Sequence, residues 1–469
     1  MIHAIAPMHY QTFSLNTFSV EQLLTAANYF ADWHGTCLLF SGGVLDSAQR
    51  SFLALFPFES VTARGKDLVI RKGDTEQRVT CANPWEGLQE FYFKSFAQHA
   101  EAYAFGFFGY EMGIFADPDS TLSYTPCSLT PDAYWQQCAV VLVYEHATQA
   151  ASVRVALSAI DGLPIAQKEW VMRLATEEGW RFLSEQTLRT HSQDKPPLKI
   201  VSIPNRQSAF LASIEQAKEW IRAGDVYQVN LSQPFIFEGQ RRPFDVFLQV
   251  SQLNPAPFSA YLKTEDYTLV STSPERFLQK QADCLETRPI KGTIQRGKNI
   301  EEDELFKKQL LASPKEKAEL LMITDLMRND LGRISLPGSV KTLDIWRCEA
   351  YANVFHLLSI IRSQVCNFTP IELIRACFPG GSITGCPKLK AMECIQTLEK
   401  RPRGIYTGSL GYMTGRNDFD LNIAIRTLVF AGDTIHLQLG GGIVIDSNPE
   451  QEYQETLFKG DSIFKVLSQ

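Results

Sequence analysis

Arg288-Pro289-Ile290-Lys291-Gly292-Thr293 sets a lysine between a proline and a glycine. Pro289 has a fixed φ and no N–H to donate, while Gly292 permits dihedrals and close approaches that a side chain forbids. Such a frame can hold Lys291 inward. A lysine desolvated in a pocket loses affinity for its proton and becomes a neutral, nucleophilic amine. The alternative for these six residues is a surface turn with a solvated lysine, and the segments on either side must separate the two.

Upstream stands Ser273-Pro274-Glu275-Arg276-Phe277, whose glutamate taken alone is a surface charge or an arginine partner. Earlier still, Tyr227-Gln228-Val229-Asn230-Leu231-Ser232-Gln233 alternates as a strand with one wet face. It follows a helical pattern, Phe210, Leu211, Ile214, Ala217 and Ile221, that Gly224 is placed to stop. Downstream, Ser313-Pro314-Lys315-Glu316 combines a cap residue, proline at the first helical position and glutamate three after the cap. The spacing predicts a helix from there towards Leu331. Asn448-Pro449 repeats this start near the end of the chain.

Each of these two helices offers Glu-x-x-Glu: Glu316 with Glu319, and Glu452 with Glu455. Four carboxylates brought together repel unless a hard divalent cation lies among them. Each pair alone is also what a helix start favours, with Glu316 closing a capping box. A di-iron centre would use Glu-x-x-His, which neither helix has, and oxygen-only ligands point to magnesium.

Three glycine-rich segments, Pro379–Gly385, Tyr406–Tyr412 and Gly440-Gly441-Gly442, can turn bare N–H groups onto an anion or simply make hairpin turns. None has the order of a Walker loop. Arg426 interrupts a strand-like apolar run, as a partly buried arginine that pairs with a carboxylate of protein or ligand does.

With 469 residues, 45% hydrophobic and 21% charged, the chain has the composition of a soluble globular protein of two domains or one large composite. A net charge of −7 argues against a general nucleic-acid surface. The ten cysteines form no Cys-x-x-Cys pair, so free cytosolic thiols are expected. Met1 to Phe13 lacks the basic start and apolar run of a signal peptide, and the most apolar stretch, Tyr103 to Ala116, is too short for a bilayer. The expected location is cytoplasmic, without membrane contact. Strands are expected at Thr36 to Phe40 and Cys138 to Tyr144, and the aromatic-rich Phe105 to Tyr110 as sheet core. The polar run Ser184 to Pro197 suggests a boundary between residues 1–190 and 191–469.

Together these segments resemble the chorismate-utilising enzymes. The resemblance is carried, in the family's order, by Ser-Pro-Glu-Arg-Phe at 273–277, Pro-Ile-Lys-Gly-Thr at 289–293, Asp325-Leu326-Met327-Arg328-Asn329-Asp330-Leu331-Gly332, Gly-Gly-Ser-Ile-Thr-Gly-Cys-Pro-Lys at 380–388 and Glu-Tyr-Gln-Glu-Thr at 452–456. It is dense from about Phe210 onward and looser before. It implies an α+β fold in which two antiparallel sheets pack together with helices outside, the active site between them and the two halves of the chain interleaved. Within the family, anthranilate synthase component I usually has alanine where Lys291 stands, and the aminodeoxychorismate synthases have lysine. Isochorismate and salicylate synthases place a lysine base for water where this chain has Gln228, so water is not the expected nucleophile.

The roles implied are these. Lys291 attacks C2 of chorismate, Glu275 is the general acid for the C4 hydroxyl, and His356 lies near that hydroxyl. Arg426, Tyr406, Lys388 and the N–H groups of Gly440, Gly441 and Gly442 bind the substrate's carboxylates, with Gln228, Thr293 and Thr384 also on the substrate. Glu319 and Glu455 hold magnesium, and Glu316 and Glu452 act on it through water. Ammonia comes from a separate glutamine amidotransferase subunit, because this chain shows no glutaminase signature. The product is 4-amino-4-deoxychorismate, a precursor of p-aminobenzoate and folate. Rival readings are anthranilate synthase component I and a silent subunit that binds aromatic metabolites. Leu38-Leu39-Phe40-Ser41 and Asn254-Pro255-Ala256-Pro257-Phe258-Ser259 also resemble the family's tryptophan-binding segments. They imply a pocket with Ser41, Arg50, Pro257, Phe258 and Ser259; Phe40 replaces the usual acid, and plain sheet packing is the alternative.

Overall fold

The computed structural model describes residues 8–468, apart from 44, 96, 98, 189–197 and 204. Its frame is a pair of long strands, Arg50–Arg64 and Ala133–Glu145, aligned antiparallel from Arg50 against Glu145 to Ala63 against Ala133. Their register slips between Pro57 and Glu59, beside Phe56 at φ 62°. A bulge of this kind bends the ladder. On one side of the bend the pair belongs to one sheet, and on the other side to a second.

The first sheet runs outward from Arg50–Arg64 through Cys37–Phe40, Phe258–Lys263, Thr268–Ser273, Thr427–Ala431 and Thr434–Ile443 to Gln228–Glu238. The second runs from Ala133–Glu145 through Tyr103–Phe108, Ser409–Thr414, Phe419–Asn422, Arg276–Gln281 and Cys284–Arg288 to Val354–Gln364, which also pairs with Ile290–Gln295 and Lys341–Ala350. Every pairing among the described residues is antiparallel. Both sheets mix strands from before residue 120 with strands from beyond 250. The boundary expected near residue 190 lies outside the described residues.

Strand alternation explains the layers. Phe52, Ala54, Val141 and Val143 point into an apolar layer shared with Phe105, Phe107 and Leu410 of the second sheet. Leu53, Leu55, Val140 and Leu142, one residue out of step, pack instead on the helices Val20–Phe30 and Ile165–Leu174. With both faces buried, these strands read as unbroken apolar runs. The outer face of the second sheet is covered by Pro84–Ser95, Pro314–Gly332 and Pro370–Cys377. The result is helices, sheet, sheet, helices. Each leucine or phenylalanine sealed in these layers stabilises the fold by about 1.5 to 3 kcal/mol.

The expected helices form at Arg206–Arg222, Pro314–Gly332 and Pro449–Lys459. Asn448 caps the last of them by accepting from Gln451 N at 3.1 Å. Ser313 caps the second by accepting from Glu316 N at 3.4 Å, yet the Glu316 carboxylate does not return the bond. The capping box is half made, and the carboxylate is left for another use.

Candidate active site

A cavity of about 330 Å³ opens where the ends of both sheets meet the helices Pro314–Gly332 and Pro449–Lys459. Lys291 lines it from Ile290–Gln295, and His356 from Val354–Gln364. The register sets Thr293 opposite His356, and Thr293 Oγ1 lies 2.9 Å from His356 Nδ1. Glu275 lines the cavity from the turn between Thr268–Ser273 and Arg276–Gln281. Arg426 does so from a left-handed backbone position, φ 51°, just before Thr427–Ala431. Tyr406, Gly440 and Gly442 complete the wall.

Glycine is required on this wall. A Cβ on Gly442 would stand 2.9 Å from Lys291 Nζ and 3.1 Å from Gln228 Cδ, and one on Gly440 would stand 2.7 Å from the Tyr406 hydroxyl. Gln228 therefore sits behind Gly442, fully buried, with neither amide atom partnered among the described residues. Gly441 faces the other way, towards Lys459 Nζ and Glu452.

Burial sets the protonation states. Enclosure lowers the Lys291 pKa, Lys459 lowers it further and Glu319 opposes the shift, so the neutral amine becomes accessible. Enclosure pushes Glu275 up to about 7, offset in part by a hydrogen bond from Ser382 and by the charge of Lys291. Glu275 is thus a carboxylic acid for a large share of the time at neutral pH and has a proton to give. His356 is driven down to about 3 by burial and by Arg426, so it is neutral, and its buried Nε2 has no partner among the described residues. Among the described residues no carboxylate pairs with Arg426, an enclosed guanidinium that leaves its charge to whatever enters the cavity.

All four paired glutamates line the same cavity. Burial and carboxylate repulsion raise Glu316 and Glu452, whereas Lys459, 2.7 Å from Glu455, holds Glu455 low. Lys315 lies 3.8 Å from Glu319. An all-oxygen donor set with excess negative charge suits a hard divalent cation. In the present side-chain positions Lys459 and Lys315 stand against Glu455 and Glu319, and no three acidic, His or Cys side chains among the described residues are gathered closely enough to hold a metal ion.

Besides Gln228 and Gly441, two further expected residues are not brought to the cavity. Lys388 Nζ is held by Asp330 at 2.7 Å and by the Cys377 carbonyl at 2.8 Å. An ammonium bound to a buried carboxylate has no free charge for a ligand. Thr384 is buried and donates to the Gly380 carbonyl at 2.9 Å, while its own carbonyl accepts from Asn230 N. Both residues brace the glycine-rich run behind the wall.

Residues 47–465 match the model of the chorismate binding enzyme family. The chain belongs to the chorismate-binding enzymes. It is 35% identical over 367 residues to aminodeoxychorismate synthase component 1 of Bacillus subtilis (strain 168), covering 78% of this chain and 76% of that one. It is 45% identical over 253 residues to the protein of the same name from Escherichia coli (strain K12), covering 54% and 56%. The crystal structure of anthranilate synthase component I from Streptococcus pneumoniae TIGR4 superposes with a TM-score of 0.72 at 29% identity, covering 90% of this chain and 94% of that one. The mixed fold of helices on antiparallel sheets is thus that of a chorismate-binding enzyme.

Around this site no motif pointed to Arg403, which ties three walls of the enzyme's cavity together. Its guanidinium, 1% exposed, pairs with Glu399 at 2.7 Å and donates to the carbonyls of Asn230 and Ile383 and to the Thr407 hydroxyl. It also lies over the Tyr406 ring. Breaking a buried pair strands the partner's charge, so Arg403→Met is expected to cost about 3 to 5 kcal/mol of stability, read from the urea midpoint. Lys459 was not singled out either, although its i+4 spacing from Glu455 is a local signal that could have found it.

A second cavity, about 360 Å³, is lined by Ser41, Arg50, Pro257, Phe258 and Ser259 together. Within it the Ser41 hydroxyl is taken up by the carbonyls of Arg50 and Pro257, and Arg50 pairs with Glu145. No helix among the described residues is long and apolar enough to cross a membrane.

Proposed function

We propose that this chain is the synthase component of an aminodeoxychorismate synthase, converting chorismate and ammonia to 4-amino-4-deoxychorismate and water. The observation that carries the reading is an enclosed lysine of lowered pKa sharing one cavity with a carboxylic acid. The similarity to the two proteins named aminodeoxychorismate synthase component 1 supports it.

Arg426, the Tyr406 hydroxyl and the bare N–H groups of Gly440 and Gly442 neutralise the substrate's carboxylates. The neutral Lys291 amine adds to C2 of the ring, the two ring double bonds each move one position, and the C4–O bond breaks. Glu275 gives its proton to the departing oxygen, which leaves as water. Ammonia then adds at C4, the double bonds return, and Lys291 leaves from C2 with a proton. Neutral His356, oriented by Thr293, offers Nε2 beside C4. Glu319 and Glu455, with Glu316 and Glu452 acting through water, would hold magnesium, which would supply positive charge to the ring carboxylate.

The ammonia is supplied from glutamine by a partner amidotransferase subunit in the cytoplasm, and the product feeds p-aminobenzoate and folate synthesis. The second cavity takes an amino acid of tryptophan's size, tested by equilibrium dialysis against labelled tryptophan. The decisive experiment for the reaction is incubation of the purified chain with chorismate, magnesium and an ammonium salt, with products identified by chromatography and mass spectrometry. 4-Amino-4-deoxychorismate with its pyruvyl group retained is the expected product; anthranilate or unchanged chorismate would overturn the reading.

A further inference from the structure

Glu275 is held at its backbone and at one side-chain oxygen. Its backbone is pinned on both sides: its N–H donates to Ser273 Oγ at 3.3 Å and its carbonyl accepts from Ile423 N at 3.0 Å. The preceding carbonyl, of Pro274, accepts from the Tyr351 hydroxyl at 3.2 Å. The side chain is equally constrained, but at one oxygen only. Oε1 accepts from the Ser382 hydroxyl at 2.7 Å and, at 3.5 Å, from Ile290 N, the residue before Lys291. Among the described residues nothing donates to Oε2, on a side chain that lines the cavity. Ser382 and Glu275 are each 5% exposed, so bulk water does not compete for this bond.

A carboxyl oxygen that already accepts two hydrogen bonds is the poorer place for a proton. We propose that Ser382 is a positioning residue that keeps the proton of Glu275 on Oε2, the oxygen free to meet the substrate, and then steadies the carboxylate left behind. This rests on the reading of Glu275 as general acid and extends it to a residue outside the reacting set. As Oε2–H breaks and the proton joins the departing C4 oxygen, negative charge grows on the carboxylate. The Ser382 bond becomes charge-assisted at that moment, which is when strengthening lowers a barrier. The other charged or titratable groups facing Glu275 are Lys291 from its strand, Lys459 from the helix Pro449–Lys459, Arg426 and Tyr351. None of them touches Oε1.

The test uses the full chain with chorismate and ammonium, and reads two quantities. The first is the carbonyl stretch of the protonated Glu275 side chain, isolated as the infrared difference from Glu275→Gln and followed across neutral pH. The hydrogen bond favours the ionised form, so Ser382→Ala moves the midpoint upward from about 7, by about one pH unit. The second is turnover: kcat falls roughly 10- to 100-fold with KM little changed. Ser382→Thr, which keeps the donor, restores both. An unmoved midpoint or an unchanged kcat in Ser382→Ala overturns the proposal. The underlying reading fails separately, if Glu275→Gln keeps full turnover; the infrared midpoints still judge Ser382 in that case.

Discussion

Lys291→Ala is expected to reduce turnover by at least about 10⁴-fold, on the scale seen when a covalent nucleophile is removed. The fold has no stake in this side chain as an ion pair, since none is formed among the described residues, and alanine leaves the strand pairing of Ile290–Gln295 intact. The variant is therefore expected to fold with its thermal transition near that of the parent. Loss of activity then reports chemistry. Enzyme quenched during turnover and digested for mass spectrometry should carry an adduct on the peptide that contains Lys291, and the alanine variant should carry none. Full activity in the variant, or an adduct elsewhere, would remove the covalent step. Lys291→Arg should not rescue, because a guanidinium stays protonated where an enclosed amine does not.

The second large effect concerns Arg426. An enclosed guanidinium without a carboxylate partner is costly in the empty protein: burial lowers its pKa, and the opposing pull of Tyr351 and Glu275 is the smaller influence. The fold tolerates that cost for a ligand's sake. Arg426→Met is expected to lower kcat/KM by about 10² to 10³-fold, as loss of a desolvated charge pair does, mainly through KM. The same change is expected to raise the melting temperature slightly, because it relieves an unpaired buried charge. Opposite movement of activity and stability separates a binding residue from a structural one. Loss of both together would mean that Arg426 serves the fold. Lysine in its place should recover little, since a carboxylate gripped by two parallel N–H groups needs the planar fork.

How much of this was legible in the chain differs from residue to residue. Glu316 with Glu319 and Glu452 with Glu455 could be placed on helix faces because cap, proline and i, i+3 spacing are local signals, and all four line the cavity. The local frame of Lys291 left a surface lysine open, and it was the family's motifs in order, spread from 273 to 456, that favoured the inward reading. Lys388 was misread. Its position at the start of the helix Lys388–Glu399 is local, but its partner Asp330 stands 58 residues earlier, and only the packing of the helix Pro314–Gly332 brings the two together. Thr384 is a brace for a different reason: its hydroxyl closes a bond within its own turn, and its carbonyl is held by Asn230 of a distant strand. Ser382 lay in a run that was read only for its glycines, and no spacing rule links it to Glu275, 107 residues away.

By itself, the sequence determined the alternation that buries both faces of the central strands, the starts of the helices, the acidic and basic inventory of the site, and the family through motifs in fixed order. Those depend on contacts within a turn or two of chain, where side-chain type and period decide the outcome. The tertiary structure alone decided that one bent pair of strands joins both sheets, which side of Gly442 faces Lys291, that Arg426 is left unpaired while Lys388 is not, and how far burial moves Glu275 and His356. Those depend on which distant groups share a low-dielectric enclosure, and a charge or hydrogen bond there takes its strength from neighbours that the order of residues does not name.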